Sequence, residues 1–177
     1  MNPSVVNQIF QKAVTYDRGD AKRIQHFIKV HGFSRQIALA ENMPEEDREI
    51  LEVAAILHDI GIHDSEEKYG DCNGMHQEEM GPPVARRLLQ DSGLSAAAIE
   101  RICFLIAHHH TYENVEGLDY QILLEADFLV NAYEDELPEE AVRTFGDKVF
   151  RTETGRKMLA EMYLEYNKGT KENERKE

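Results

Sequence analysis

The most informative pair in the sequence is His58-Asp59, which follows the apolar run Val53-Ala54-Ala55-Ile56-Leu57. A pair in that position ends a helix that reads as buried, and a buried carboxylate without a partner is costly. A divalent cation would satisfy both side chains together, because imidazole and carboxylate suit Fe, Mn, Zn or Ni, and Ca less well. The plainer reading is that Asp59 caps a loop while His58 hydrogen-bonds a backbone carbonyl; the pair alone leaves both open. Asp127 adds to the case. It lies inside Leu123-Leu124-Glu125-Ala126-Asp127-Phe128-Leu129-Val130, so it is a second acid in apolar surroundings. Singly, such an acid is more often explained by a helix terminus or an arginine contact. His26 lies upstream in an amphipathic stretch. Two acids in apolar context and two helical histidines together ask for one shared cation.

Only helices can bring these positions together, because no strand-like alternation persists along the chain. Ser4 is placed to cap a first helix running to about residue 14, and Asp20 precedes a second that carries His26 and His31. Gly32 falls in the middle of that helix and reads as a bend or a point of close packing. Pro44, followed by Glu45, Glu46 and Asp47, starts a helix that ends near Gly61. Residues 62–77 are polar, contain Gly70 and Gly74, and read as the longest irregular stretch. Pro82 and Pro83 suit the start of the next helix, and Ser95 caps another that reaches His108-His109-His110. The helix holding Asp127, a short one after Pro138 and a last one capped by Thr152 or Thr154 and running to Tyr166 complete the set. Met158, Leu159, Met162, Tyr163 and Tyr166 form an apolar stripe at helical spacing, read as a core face. The expectation is a single all-α domain over residues 1–167, a bundle of about seven or eight helices, with a charged tail at 168–177.

The ordered set His26, His58-Asp59 and Asp127, in these local contexts, resembles the HD-domain superfamily of metal-dependent phosphohydrolases. His26-Phe27-Ile28-Lys29-Val30 is similar to the family's first-histidine helix, Ala54-Ala55-Ile56-Leu57-His58-Asp59-Ile60-Gly61 to its namesake motif, and Glu125-Ala126-Asp127 to its distal aspartate. The likeness spans residues 20–135. It implies an HD-like helical bundle whose metal ligands are His26, His58, Asp59 and Asp127. His31 is turned about 140° around the helix from His26, so the two do not serve one site. Some members hold a second metal through two further histidines. The later slot falls on His108-His109-His110, where His109 fits best and His110 next. Three consecutive histidines cannot point one way, since each step turns a helix by about 100°. The earlier slot falls on Gln77, with His76 one position off and Glu78 or Glu79 as possible substitutes. Ile62 stands where many members with redox or dinuclear sites have lysine. His63-Asp64 repeats the dipeptide but in a polar stretch, and reads as a solvated pair.

What the resemblance implies is hydrolysis of a phosphate ester or anhydride on a nucleotide or other small phosphorylated metabolite. The cofactor would be one divalent ion, or two, drawn from Mn, Fe, Zn, Ni, Co or Mg. Asp59 would both ligate and take a proton from water, and His109 or His110 would stabilise phosphoryl oxygens or hold a second metal. Lys29, Lys68, Arg86 and Arg87 are the cationic candidates for substrate contact. A diiron oxygenase and a ligand-sensing module without turnover are the alternatives.

Composition bounds these readings. The 177 residues carry 20 Lys+Arg against 34 Asp+Glu, a formal charge of −14. Repulsion on that scale disfavours nucleic-acid polymers and anionic membranes as partners. It does not disfavour a small phosphate that reaches a buried metal. The remaining acids, grouped at 45–47, 134–136 and 139–140, read as solvated surface. The N-terminus lacks a basic and then apolar leader, no apolar run is long enough to span a membrane, and two Cys form no framework. A cytoplasmic location is the expectation; oligomeric state is not legible.

Overall fold

The computed structural model describes residues 4–164, and among these there are nine α-helices, one π-helical turn and no strand. In order they are α1 (Val5–Tyr16), α2 (Ala21–Ala40), α3 (Glu45–Leu57), α4 (Ile62–Tyr69), α5 (Gly74–Leu89), α6 (Ala96–Ile106), α7 (Leu118–Glu134), α8 (Glu139–Val149) and α9 (Glu153–Leu159), with the π turn at Ala160–Leu164. The helix starts follow from capping. Ser4, Asp20, Ser95 and Thr152 each accept from the amide three residues on, at 3.3, 3.1, 3.1 and 2.9 Å. Each such cap stabilises by about 1 kcal/mol. Thr152, and not Thr154, therefore caps α9. The expected end of that helix at Tyr166 and the tail at 168–177 lie outside the described residues.

Three expectations are corrected. Residues 62–77 are not an irregular stretch: they hold α4 and the first turn of α5. The left-handed Gly70, at φ 78°, closes α4, and Asn73 caps α5 by accepting from the His76 amide at 3.1 Å. α4 buries only Ile62 and Ser65. It is anchored instead by polar contacts, Tyr16 to Asp64 at 2.7 Å and Arg23 to Glu66 at 2.7 Å, which leave little hydrophobic periodicity to read. Pro82 and Pro83 lie inside α5 and do not start it. They withhold two amide donors, and Gly81, having no Cβ, removes the clash that a proline imposes on the residue before it. Gly32 marks neither a bend nor close packing: α2 runs through it, and nothing lies within 4 Å of where a Cβ would stand.

The helix α3 is the axis of the core. All seven residues from Leu51 to Leu57 are buried. α2 packs along both α3 and α7, while α1 and α6 cover α3 from other sides. Burying each large aliphatic side chain contributes about 1.5–3 kcal/mol, which fixes the C-terminal end of α3 firmly. That end carries His58 and Asp59. The turn after it is held by backbone contact: a Cβ on Gly61 would stand 2.4 Å from the Gly81 amide nitrogen, and one on Gly81 would stand 2.5 Å from Cγ2 of Ile106. The turn between α3 and α4 thus packs tightly on α5, and α5 on α6, beside the motif. No helix among the described residues is long and apolar enough to cross a membrane.

Candidate metal centre

α2, the end of α3 and α7 bring His26, His58, Asp59 and Asp127 to one point. His26 Nε2 lies 3.2 Å from His58 Nε2, 3.2 Å from Asp127 Oδ1 and 3.5 Å from Asp59 Oδ2. His58 Nε2 lies 3.5 Å from Asp59 Oδ2 and 3.5 Å from Asp127 Oδ1. Ligand atoms about 2.0–2.2 Å from a common ion are separated by roughly 3.0–3.5 Å, so five of the six separations within this quartet fit one coordination shell.

Proton positions support the same assignment. His58 Nδ1 donates to the Ala55 carbonyl at 2.8 Å, and His109 Nδ1 donates to the Ile106 carbonyl at 2.7 Å. His26 Nδ1 donates to Glu134 Oε2 at 2.9 Å. A carbonyl or carboxylate can only accept, so each Nδ1 carries hydrogen and each Nε2 is the atom turned to the site. The plainer reading of His58 is therefore correct for Nδ1 and incomplete, because Nε2 remains for an ion. Two buried polar atoms here have no hydrogen-bond partner, His109 Nε2 and Asp127 Oδ1. Orphaned acceptors of this kind, together with an N/O donor set, fit a divalent ion.

The electrostatics follow from burial among opposite charges. Burial disfavours the charged imidazole of His26, but Asp127, Asp59 and Glu134 outweigh it and push the pKa up to about 9. Burial likewise opposes charge on His58, and Asp59 and Asp127 again raise it. Asp59 and Asp127 are held well below the usual carboxylate range in spite of burial, by His58 and His109 in the first case and by His26 and His58 in the second. His110 behaves oppositely: burial, then the neighbouring His109, brings it down to about 4.

The His108-His109-His110 run lies in a turn beyond α6, not within the helix. Its three rings do separate, through the geometry of that turn and not through helical rotation. His109 is fully buried, with Nε2 3.2 Å from Asp59 Oδ1. His110 joins Asp59 and His109 in a second group whose ligand atoms lie within 4.8 Å of one another. His108 turns away and stacks on Phe104 at 4.2 Å. The slot at Gln77 is occupied by a buried amide that accepts from His110 Nε2 at 3.1 Å and donates to the Cys72 carbonyl. Glu78 accepts from the His110 amide and the Thr111 hydroxyl, both at 3.0 Å, and so anchors the turn.

Two candidates are corrected. His76 pairs with Asp71 at 2.6 Å and stacks on Tyr69, and Glu79 takes Lys68 and Tyr69 at the surface. Neither belongs to either ligand group. His31 pairs with Glu52 at 2.9 Å, away from the centre. His63 is not merely solvated: Arg23 donates to its Nδ1 at 3.0 Å, which leaves Nε2–H facing Asp17 at 3.2 Å. Of the cationic candidates, Lys68, Arg86 and Arg87 are bound to Glu79, Glu100 and Asp64. Lys29 alone of the four is tied to the centre, through Glu134. Glu134 itself is a correction, since it is not solvated surface but bonded to His26. The signal was its place seven residues after Asp127, two turns on and on the same helix face.

The sequence pattern of the HD domain family matches residues 23–152, which extends past the distal aspartate to include α8. A crystal structure of a predicted HD superfamily hydrolase from an uncultured Thermotogales bacterium is similar at 28% identity and a TM-score of 0.61, covering 90% of this chain and 83% of that one. No curated protein matches the chain.

Proposed function

The chain belongs to the HD-domain family, and from that premise we propose that it is a metal-dependent phosphohydrolase acting on a phosphate ester or anhydride of a nucleotide or another small phosphorylated metabolite. The observation that carries this reading is that His26 Nε2 and His58 Nε2 lie 3.2 Å apart and each lies 3.2–3.5 Å from both Asp59 Oδ2 and Asp127 Oδ1. The similar Thermotogales protein, a predicted hydrolase, points the same way.

His26, His58, Asp59 and Asp127 would hold the ion. Bound there, a divalent ion supplies Lewis acidity, lowering the pKa of water towards ~7 and polarising a phosphoryl oxygen. Asp59 is the ligand with access to solvent, its side chain 24% exposed against 5% for Asp127. One of its oxygens faces the histidine pair and the other faces His109. Asp59 is thus the group placed to accept a proton from water. His109, whose Nε2 lies 3.2 Å from Asp59 Oδ1, would be a further ligand. His110, with a pKa of about 4, is neutral near pH 7 and acts as an acceptor or a further ligand rather than as a general acid. With Asp59 and His109 it offers room for a second ion. Lys29, ion-paired with Glu134, is the cationic candidate tied to the centre in a chain of charge −14. That balance favours a small anion over a nucleic-acid polymer or a membrane surface. The oxygenase reading has less support: Gln77 is committed to His110 and Cys72, and Ile62 is buried.

The test is metal analysis of protein purified without chelators, followed by a screen of phosphorylated metabolites. EDTA should abolish turnover and Mn²⁺ or Co²⁺ should restore it. Asp59→Ala with undiminished activity would remove the assignment, and tight nucleotide binding without product would favour the sensing module.

A further inference from the structure

The three site histidines whose Nδ1 atoms are engaged differ in how those atoms are satisfied. His58 and His109 each follow the last residue of a helix closely, and each donates to a carbonyl three residues back, Ala55 and Ile106. His26 lies well inside α2, where the preceding carbonyls are taken by the helix's own amides. Its ring must find an acceptor elsewhere. The acceptor is Glu134 Oε2, at 2.9 Å, from α7.

Glu134 is an unusual residue for its place. It is the last residue of α7, where the carbonyl end of the helix disfavours an anion, and its side chain is only 16% exposed. Two contacts hold it there, His26 through Oε2 and Lys29 through Oε1. Lys29 stands three residues after His26 on α2, and Glu134 seven after Asp127 on α7, so each pair shares a helix face. α7 therefore offers a ligand, Asp127, to His26 Nε2 and an orienting carboxylate to its Nδ1.

We propose that Glu134 is a positioning residue of the metal centre: it fixes His26 with hydrogen on Nδ1 and the Nε2 lone pair turned to the ion, while Lys29 balances the carboxylate's charge, which a neutral amide would not require. Carboxylate partners of ligating histidines set ring orientation and basicity in this way. The inference rests on the metal reading above and adds a residue to it.

The test uses the full chain, stripped of metal and titrated with Co²⁺, with affinity from calorimetry and ligand geometry from the visible absorption bands. Wild type takes up Co²⁺. Glu134→Ala weakens binding by about 10- to 100-fold and shifts the bands, with its helical circular dichroism retained. The double variant Lys29→Met/Glu134→Gln keeps a neutral acceptor on Nδ1 and should stay within about threefold of wild type. If Glu134→Ala fails to fold, Lys29→Met/Glu134→Leu fills the same space without an acceptor and takes its place. Wild-type affinity and bands in the variant lacking an acceptor overturn the inference while leaving the metal reading intact. Equal weakening in the double variant and in Glu134→Ala overturns it too, since charge and not orientation would then matter. Absence of Co²⁺ uptake by wild type overturns the metal reading itself, and this inference with it.

Discussion

His26 Nε2 stands 3.2 Å from His58 Nε2, so at most one of the two nitrogens can carry a hydrogen. The surrounding carboxylates nevertheless raise the pKa of both rings. Two ionised acids thus share the centre with room for one proton between the histidines. A divalent ion would fit this arrangement, because it would balance both carboxylates and accept both lone pairs at once.

Stability should report this directly. Removing divalent ions lowers the melting temperature, and Mn²⁺ or Co²⁺ raises it again. At free metal about 100-fold above Kd the gain is about 2.7 kcal/mol, or roughly 5–10 °C for a domain of this size. Asp127→Asn should flatten the response. Wild-type melting curves that superimpose with and without metal would contradict the whole account of the site.

Two glycine substitutions should have opposite outcomes, one at a crowded contact and one in open space. In Gly81→Ala the new methyl would meet Ile106 at 2.5 Å. Overpacking of this kind costs about 1–3 kcal/mol. It also pushes on the residue whose carbonyl orients His109, so Co²⁺ affinity should fall along with stability. Gly32→Ala, exposed and without a neighbour within 4 Å, should instead stabilise by up to about 1 kcal/mol through helix propensity. Thermal melts of the two variants check the sign of each.

Glu125 stands two residues from Asp127, and its role is structural. It is fully buried. Its Oε1 accepts from Gln121 at 2.7 Å and from the amides of Arg151 and Thr152 at 2.6 and 2.9 Å; its Oε2 accepts from the Thr152 hydroxyl at 2.5 Å. Replacing it with Leu leaves those donors buried and unpaired, at a cost of about 1–3 kcal/mol for each one left so. Gly155→Ala should destabilise through the same contact, since its Cβ would fall 1.9 Å from Glu125 Oε2. Denaturant unfolding of the single and double variants should show strong coupling; simple additivity would mean that the two positions do not share the contact.

The parts of the site legible from sequence were those that broke a local rule. His58, Asp59 and Asp127 stand out because charge in an apolar helix needs a partner, and His109 is the best fit of its run to the later histidine slot of the family likeness. His26 required the family likeness, since a histidine on an amphipathic helix is unremarkable alone. What stayed hidden obeyed local rules. α4 is polar and held by tertiary ion pairs, so its composition matched a loop. Glu134, followed by Asp135 and Glu136, looks like solvated surface until α2 and α7 are placed side by side. The slot near Gln77 was uncertain by one residue for a similar reason: the start of α5 at Asn73 is set by a cap that the later Pro82-Pro83 pair masked.

Glu52 predicts a pH dependence away from the metal centre. It is 3% exposed in α3, accepts from His31 at 2.9 Å and Arg35 at 2.6 Å, and has Arg48 at 3.5 Å. Burial alone would raise its pKa, but His31 and Arg35 outweigh this and hold it below the ordinary value of 4.5. A carboxylate with a depressed folded-state pKa binds its proton more readily when unfolded. Its contribution is therefore complete above pH 4.5 and is lost as pH falls through the lower folded-state value. Glu52→Gln should be less stable than wild type at pH 7, and the gap should narrow as the pH falls below 4.5. Urea unfolding of both proteins from pH 7 down to pH 3.5 measures it. A gap that stays constant with pH would assign the loss to packing instead of to the ion pair.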